Sequence, residues 1–199
     1  LNMNKTYLLF FVFSFFYSFL PETNNCFSQS QFQVVIGDSS ETVEVARSII
    51  QTTDGGFMAV GQTEINGDMY IVKLNSTGQL QWNKTIGGSG TYIALSVVQT
   101  FDSGYVLSGF GNPYSSGISG PFIVKLSQAG TIEWAKLLTS EDLGAAYSII
   151  QTNDGGYATA VSFPDGGGTY RMIIVKLNNM GLIQWSKNIG SVSYARCIK

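Results

Sequence analysis

Acid–base and metal chemistry usually draw on histidine, and this chain of 199 residues has none. No imidazole can act as a base, activate a serine or ligate a metal. Few other reactive groups remain, because only 12% of the residues are charged. Glu141 and Asp142 are a carboxylate pair. They adjoin each other, whereas hydrolysis needs two carboxylates opposed across the bond to be cut. Asp54, Asp102 and Asp154 each stand just before a Gly-Gly or Ser-Gly pair. A calcium loop carries oxygen ligands at several alternate positions, so a single Asp beside glycine reads as a turn residue capping backbone N–H groups. The glycine-rich stretches at 87–90 and 166–168 lack the lysine and following helix of a phosphate loop. The chain therefore reads as non-enzymatic, with no catalytic set, metal set or cofactor site. The alternative is a secreted hydrolase or lyase whose site is completed by sequence outside this chain.

Composition narrows the class. The chain is 44% hydrophobic and 13% aromatic, with a net charge of −2. Disorder needs low hydrophobicity and high net charge, and nucleic-acid binding needs a basic surplus, so neither is expected. Lys5 precedes an uncharged apolar run from Tyr7 to Leu20, which Pro21 and Glu22 end. That is the pattern of a secretory signal peptide over residues 1–30, with cleavage after Ser28 or Ser30. The expected location is outside the cell or on its surface, and the membrane is met only through the leader before cleavage. Met3 reads as the natural start. Cys26 is expected to leave with the leader, a lipid anchor there being the alternative that Thr23-Asn24-Asn25 fits poorly, and Cys197 then stands alone.

Residues 31–199 hold one motif written three times. Asp54-Gly55-Gly56-Phe57 recurs as Asp102-Ser103-Gly104-Tyr105 and Asp154-Gly155-Gly156-Tyr157. SIIQT at 48–52 recurs as SVVQT at 96–100 and as SIIQT at 148–152, and IVKL at 71–74 recurs at 123–126 and 174–177. Trp82, Trp134 and Trp185 close the units, each followed two residues later by Lys84, Lys136 or Lys187. The repeats run approximately over 46–93, 94–145 and 146–194, with partial strands at 32–37 and 195–199. Each reads as four short β-strands, rich in Val, Ile, Phe, Tyr and Thr and broken by Gly-bearing turns.

Two turns can be read closely. Between the first and second strands, glycine recurs at 56, 104 and 156, while the position before it accepts Ser103. This predicts a four-residue loop whose left-handed residue is Gly56, Gly104 or Gly156. Between the third and fourth strands, Asn75–Gly78, Ser127–Gly130 and Asn178–Gly181 fit a type I turn followed by a left-handed glycine. The resulting register sets Val72, Val124 and Val175 opposite Trp82, Trp134 and Trp185, and Leu74, Leu126 and Leu177 opposite Leu80, Ile132 and Ile183. It also sets Lys73, Lys125 and Lys176 opposite Gln81, Glu133 and Gln184, as polar pairs on a partly solvated outer hairpin. The tryptophans could stack on sugar rings, but this register assigns them to the core.

Four-stranded units of about 50 residues predict an all-β fold of β-propeller-like blades. About three repeats plus partial ends are fewer than the four to eight blades of a closed ring. The chain thus reads as the N-terminal part of a larger propeller, with 32–37 as the strand that completes the last blade. At these motifs the sequence resembles the DGGY-type repeats of large exported bacterial proteins, especially those of gliding bacteria with a type IX secretion system. The resemblance covers about residues 32–199. It implies a propeller-like fold and no particular activity.

Length varies in one place. Gly61 to Lys73 spans 12 residues, Gly109 to Lys125 spans 16 and Val161 to Lys176 spans 15. The insertions fall between the second and third strands, where the loops carry Asn112, Tyr114, Phe163, Asp165, Tyr170 and Arg171. Variable loops on a rigid scaffold are where binding tends to sit. These six are the candidate ligand-binding residues, with an extracellular glycan or protein as the expected partner in a non-catalytic scaffold or adhesin-like role.

Overall fold

The computed structural model describes residues 44–63, 67–88, 90–113, 119–138, 144–165 and 169–192. The chain divides at 31/32 into two units, and every described residue lies in the second. The predicted leader, the partial strands at 32–37 and 195–199, Tyr114 and the Glu141–Asp142 pair lie outside the described residues. Among the described residues no helix is long and apolar enough to cross a membrane.

Among the described residues, twelve strands form three four-stranded antiparallel sheets, one per repeat. The first is β1 (Glu44–Gln51), β2 (Phe57–Thr63), β3 (Met69–Leu74) and β4 (Leu80–Ile86). The second is β5 (Gly90–Gln99), β6 (Tyr105–Pro113), β7 (Gly120–Leu126) and β8 (Ile132–Leu137). The third is β9 (Ala145–Gln151), β10 (Tyr157–Pro164), β11 (Tyr170–Leu177) and β12 (Ile183–Val192). Within each sheet the strands lie in chain order, joined by short connections. Bulges recur at equivalent places: the first strand of every repeat carries an extra residue just before its SIIQT-type segment, at Arg47, Leu95 and Tyr147.

Alternation along the strands explains why the second sheet has two apolar faces. Tyr105 and Leu107 of β6 and Phe122, Val124 and Leu126 of β7 point to the first sheet and join Met58, Val60, Met69 and Ile71 in one core. Val106 of β6 and Ile123 of β7 point the other way, to Ala146, Ile149, Tyr157, Val175 and Leu177. With both faces covered, the inner strands read as apolar runs rather than an alternating pattern.

The turn between the third and fourth strands is as expected. Gly78, Gly130 and Gly181 have φ of 79°, 77° and 74°. In the first repeat Gly78 N–H donates to the Asn75 carbonyl at 3.0 Å, closing the type I turn. Leu74, Leu126 and Leu177 pair with Leu80, Ile132 and Ile183. Beyond that point the register departs from the expected one. A one-residue bulge sets Trp82, Trp134 and Trp185 opposite Lys73, Lys125 and Lys176, and the valines meet Asn83, Ala135 and Ser186. The extra residue lets one strand offer Gln81 to Lys73 and still carry Trp82 to the neighbouring sheet.

The turn between the first and second strands corrects the sequence reading. The left-handed residues are Gly55, Ser103 and Gly155, with Ser103 at φ 64°. Gly56, Gly104 and Gly156 are needed for a different reason. A Cβ on Gly56 would lie 2.7 Å from Lys73 Nζ and closer still to the Leu74 carbonyl oxygen, and Gly104 and Gly156 are crowded in the same way. A left-handed serine costs about 1–2 kcal/mol, which a fold can absorb. A carbon overlapping backbone cannot be absorbed without moving the strand.

Candidate functional site

The recurring charged residues are brought together in pairs. Lys73 Nζ lies 2.9 Å from Asp54 Oδ2, Lys125 Nζ 3.0 Å from Asp102 Oδ2 and Lys176 Nζ 2.8 Å from Asp154 Oδ2. Each ammonium also donates to the carbonyl of the next residue, at 2.9, 3.1 and 3.0 Å. The polar partners expected across the hairpin are in place as well. Gln81 and Gln184 accept at 2.9 and 3.1 Å, and Glu133 forms an ion pair at 3.1 Å.

The lysines are not on a solvated surface as expected; Lys73 and Lys125 are 3% and 2% exposed. A buried ammonium is tolerable only when paired and hydrogen-bonded, and each of these is. The carboxylates stay about half exposed and cap the turn, Asp54 Oδ1 accepting from Gly56 N–H at 3.0 Å and from Thr52 Oγ1 at 2.5 Å. These bonds set the acidity. Hydrogen bonds from Thr52 and Lys73 hold the Asp54 carboxyl well below the usual range, and those from Lys176 and Thr152 do the same for Asp154. Burial pushes Asp102 up, but the bonds from Thr100, Lys125 and Gly104 prevail and bring it to about 2. The donors of all three sites are spent on one another, so the arrangement clamps a turn onto a strand end. Among the described residues no group of three or more His, Cys, Asp or Glu could hold a metal.

The tryptophans join neighbouring sheets. Trp82 meets Tyr105 of the second sheet edge-on at 6.4 Å between centroids, and Trp134 meets Tyr157 of the third at 5.8 Å. Burial together with the nearby Asp102 and Glu133 pushes the Tyr157 hydroxyl up to about 12. Gly130 and Gly181 lie flat on the rings of Trp82 and Trp134, where a Cβ would sit at about 3 Å.

Four of the six loop candidates, Phe163, Asp165, Tyr170 and Arg171, lie together at the loop end of β10 and β11. Phe163 is 7% exposed at the end of β10 and packs in the core between the second and third sheets. The Arg171 guanidinium lies over its ring at 5.7 Å, and Arg171 pairs with Phe163 across β10 and β11. Asp165 N–H donates to the Thr169 carbonyl at 2.9 Å, and Tyr170 pairs with Pro164, so both shape the loop entry. The backbone of Asn112 pairs with Thr91 in the second sheet.

Next to that strand end is a feature that sequence reading missed. A cavity of about 300 Å³ lies between the first and second sheets, lined by Met69, Ile86, Tyr92, Gly111, Phe122 and Lys136 among others. Met69 starts β3, Ile86 ends β4, Tyr92 lies near the start of β5 and Gly111 near the end of β6. All four mark the end of the sheets that carries the variable loops. Loop bonds hold this end together: Tyr92 N–H donates to the Gly67 carbonyl, and Gly88 N–H to Asp68 Oδ1 at 3.1 Å. The small residue at 111 was the available signal, since a side chain there would meet the Tyr92 and Phe122 rings at 3.2 and 3.3 Å. No protein-family model matches the chain, and no curated protein matches it.

Proposed function

We propose that the chain is part of an exported, propeller-type repeat protein that binds a partner without catalysis. The ligand site is the cavity between the first two sheets together with the variable loops around it. The cavity carries the proposal, because it is an apolar recess placed among loops whose lengths vary while the sheets stay regular. Small-molecule and side-chain sites are recesses of this kind, mostly apolar with a few polar groups at the mouth. Met69, Ile86 and Phe122 suit a hydrophobic or aromatic side chain, and Lys136 offers a charge for an acidic neighbour. That chemistry fits an extracellular protein segment better than a sugar, whose hydroxyls would find few partners here.

The test compares two libraries, displayed peptides and immobilised glycans, against the protein and its Gly111→Leu variant. Expected is enrichment of peptides with one apolar anchor beside acidic residues, lost in the variant while its unfolding transition persists. Enrichment of glycans alone, or equal binding by the variant, overturns this reading.

A further inference from the structure

The third repeat shows what can fill the loop end of a junction. Counted from the shared motifs, Phe163 stands where the second repeat has Gly111, and Arg171 stands where it has Gly120. Each pair meets across the second and third strands of its sheet, Gly111 with Gly120 and Phe163 with Arg171. Phe163 is 7% exposed in the core between the second and third sheets, with Val175 in the same core and Leu138 and Ile173 packed against it. The residues equivalent to those three, Ile86, Phe122 and Val124, line the cavity between the first and second sheets. One junction holds a phenyl ring where the other holds the cavity.

The exchange extends to the neighbouring strand. Tyr92 pairs with Gly111, and a Cβ on that glycine would meet the Tyr92 ring at 3.2 Å. Gly144 holds the place of Tyr92 in the third repeat, and a Cβ on it would fall on the Phe163 ring. Each sheet therefore has one ring and one glycine at this pair, but the two have changed sides. Phe163 is buried within its junction, whereas Tyr92 is only partly buried and forms a wall of the cavity. Both walls of the cavity belong to described strands, whatever precedes or follows them. Its volume of about 300 Å³ is ample for a six-membered ring, since an apolar cavity of about 150 Å³ takes up benzene.

We propose that the cavity takes an aromatic side chain, phenylalanine or tyrosine, from an extracellular protein partner, in the place that Phe163 fills at the next junction. The proposal rests on the ligand-binding reading above and names the anchor. Phe122 and Tyr92 present rings to the cavity. Offset or edge-on ring pairs favour an aromatic anchor over an aliphatic one of similar area by about 3- to 10-fold. Gly120 adds to the room, because it puts no side chain where Arg171 lies over the Phe163 ring at 5.7 Å.

The test is NMR of the full chain labelled at its methionine methyl groups, with N-acetyl-phenylalaninamide and N-acetyl-leucinamide as probes. Met69 lines the cavity and reports on it. Expected is a ring-current shift of the Met69 methyl by the phenylalanine amide, with a dissociation constant about 3- to 10-fold below that of the leucine amide. The double variant Tyr92→Gly/Gly111→Phe gives the second sheet the glycine and ring of the third, so that the protein fills the cavity itself. Expected is loss of binding of both amides while the unfolding transition persists. A leucine amide that binds as tightly as the phenylalanine amide overturns the aromatic anchor and leaves the apolar recess standing. If neither amide moves Met69, the anchor and the ligand-binding reading of the cavity fall together. Undiminished binding by the folded double variant shows that the ligand ring does not take the Phe163 position, and also overturns the proposal.

Discussion

Ser103 and Gly104 are neighbours in one turn, yet the structure assigns them opposite responses to substitution. Gly104→Ala adds a methyl that meets the Leu126 carbonyl oxygen and Lys125 Nζ at less than contact distance, with Asp102 Oδ1 at 3.0 Å. The φ of Gly104 is not left-handed, so the whole cost is displacement. To admit the methyl, the Lys125 ammonium must leave its seat between Asp102 at 3.0 Å and Glu133 at 3.1 Å. Overpacking alone costs about 1–3 kcal/mol, and breaking a buried ion pair about 3–5 kcal/mol. Both carboxylates are about half exposed and the ammonium can move outward, which brings the total to about 2–4 kcal/mol destabilising. Ser103→Gly removes a left-handed strain of about 1–2 kcal/mol and adds about 0.4–1 kcal/mol of unfolded-chain freedom, a net gain of about 0–1.6 kcal/mol. The two variants thus separate by at least about 2 kcal/mol. With a urea slope of about 1–3 kcal/mol/M, their midpoints differ by about 0.7 M or more. Equal midpoints, or a less stable Ser103→Gly, would refute the assignment of strain to one position and crowding to the other.

Three further outcomes follow from the clamps and junctions. Asp54→Ala should be more damaging than Asp102→Ala by about 1–2 kcal/mol in chemical unfolding, because Lys73 is left with neutral Gln81 while Lys125 keeps Glu133. Acid should weaken the fold over a defined window. Asp102 titrates at about 2 when folded against 3.8 otherwise, so the unfolded chain takes the proton first, and the stabilisation present above about pH 4 drains away towards pH 2. Asp54 and Asp154 shift in the same direction and add to the loss, which melting temperatures across pH 5 to 2 would register. Trp82→Ala should cost about 2–4 kcal/mol, whereas Trp185→Ala should cost much less, since among the described residues only the first has a neighbouring sheet against its ring.

The strands were legible because the repeats align three times and each strand has a β-branched or aromatic run between glycines. The hairpin glycines at 78, 130 and 181 were legible too, since one turn geometry satisfied all three loops. The first turn was misread for a definite reason. A position where only glycine occurs signals either a left-handed backbone or a lack of room, and sequence does not separate the two. At 104 the answer is room, set by a strand end 22 residues away. The lysines posed the same difficulty. Pairing with Gln81 or Glu133 was visible across a hairpin, but the bond from Lys73 to Asp54 joins a strand end to a turn that meets it only when the sheet is assembled. The cavity at Tyr92 and Gly111 left only the glycine at 111 as a trace in the sequence, because it belongs to the space between two sheets and to neither sequence segment alone.

The glutamine that ends each first strand has a consequence for how such a chain can change in length. Gln99 accepts from Thr53 in the preceding repeat and Gln151 from Phe101, and both contacts join one fixed position of the unit to another. Each repeat therefore carries both halves of this contact, the glutamine that ends its first strand and the residue two places on. A duplicated unit would arrive with both halves already present and would fit between any two existing neighbours without compensating substitutions. Deleting a unit would heal in the same way. Repeat number can then change in one genetic step, while the loops of each copy remain free to diverge.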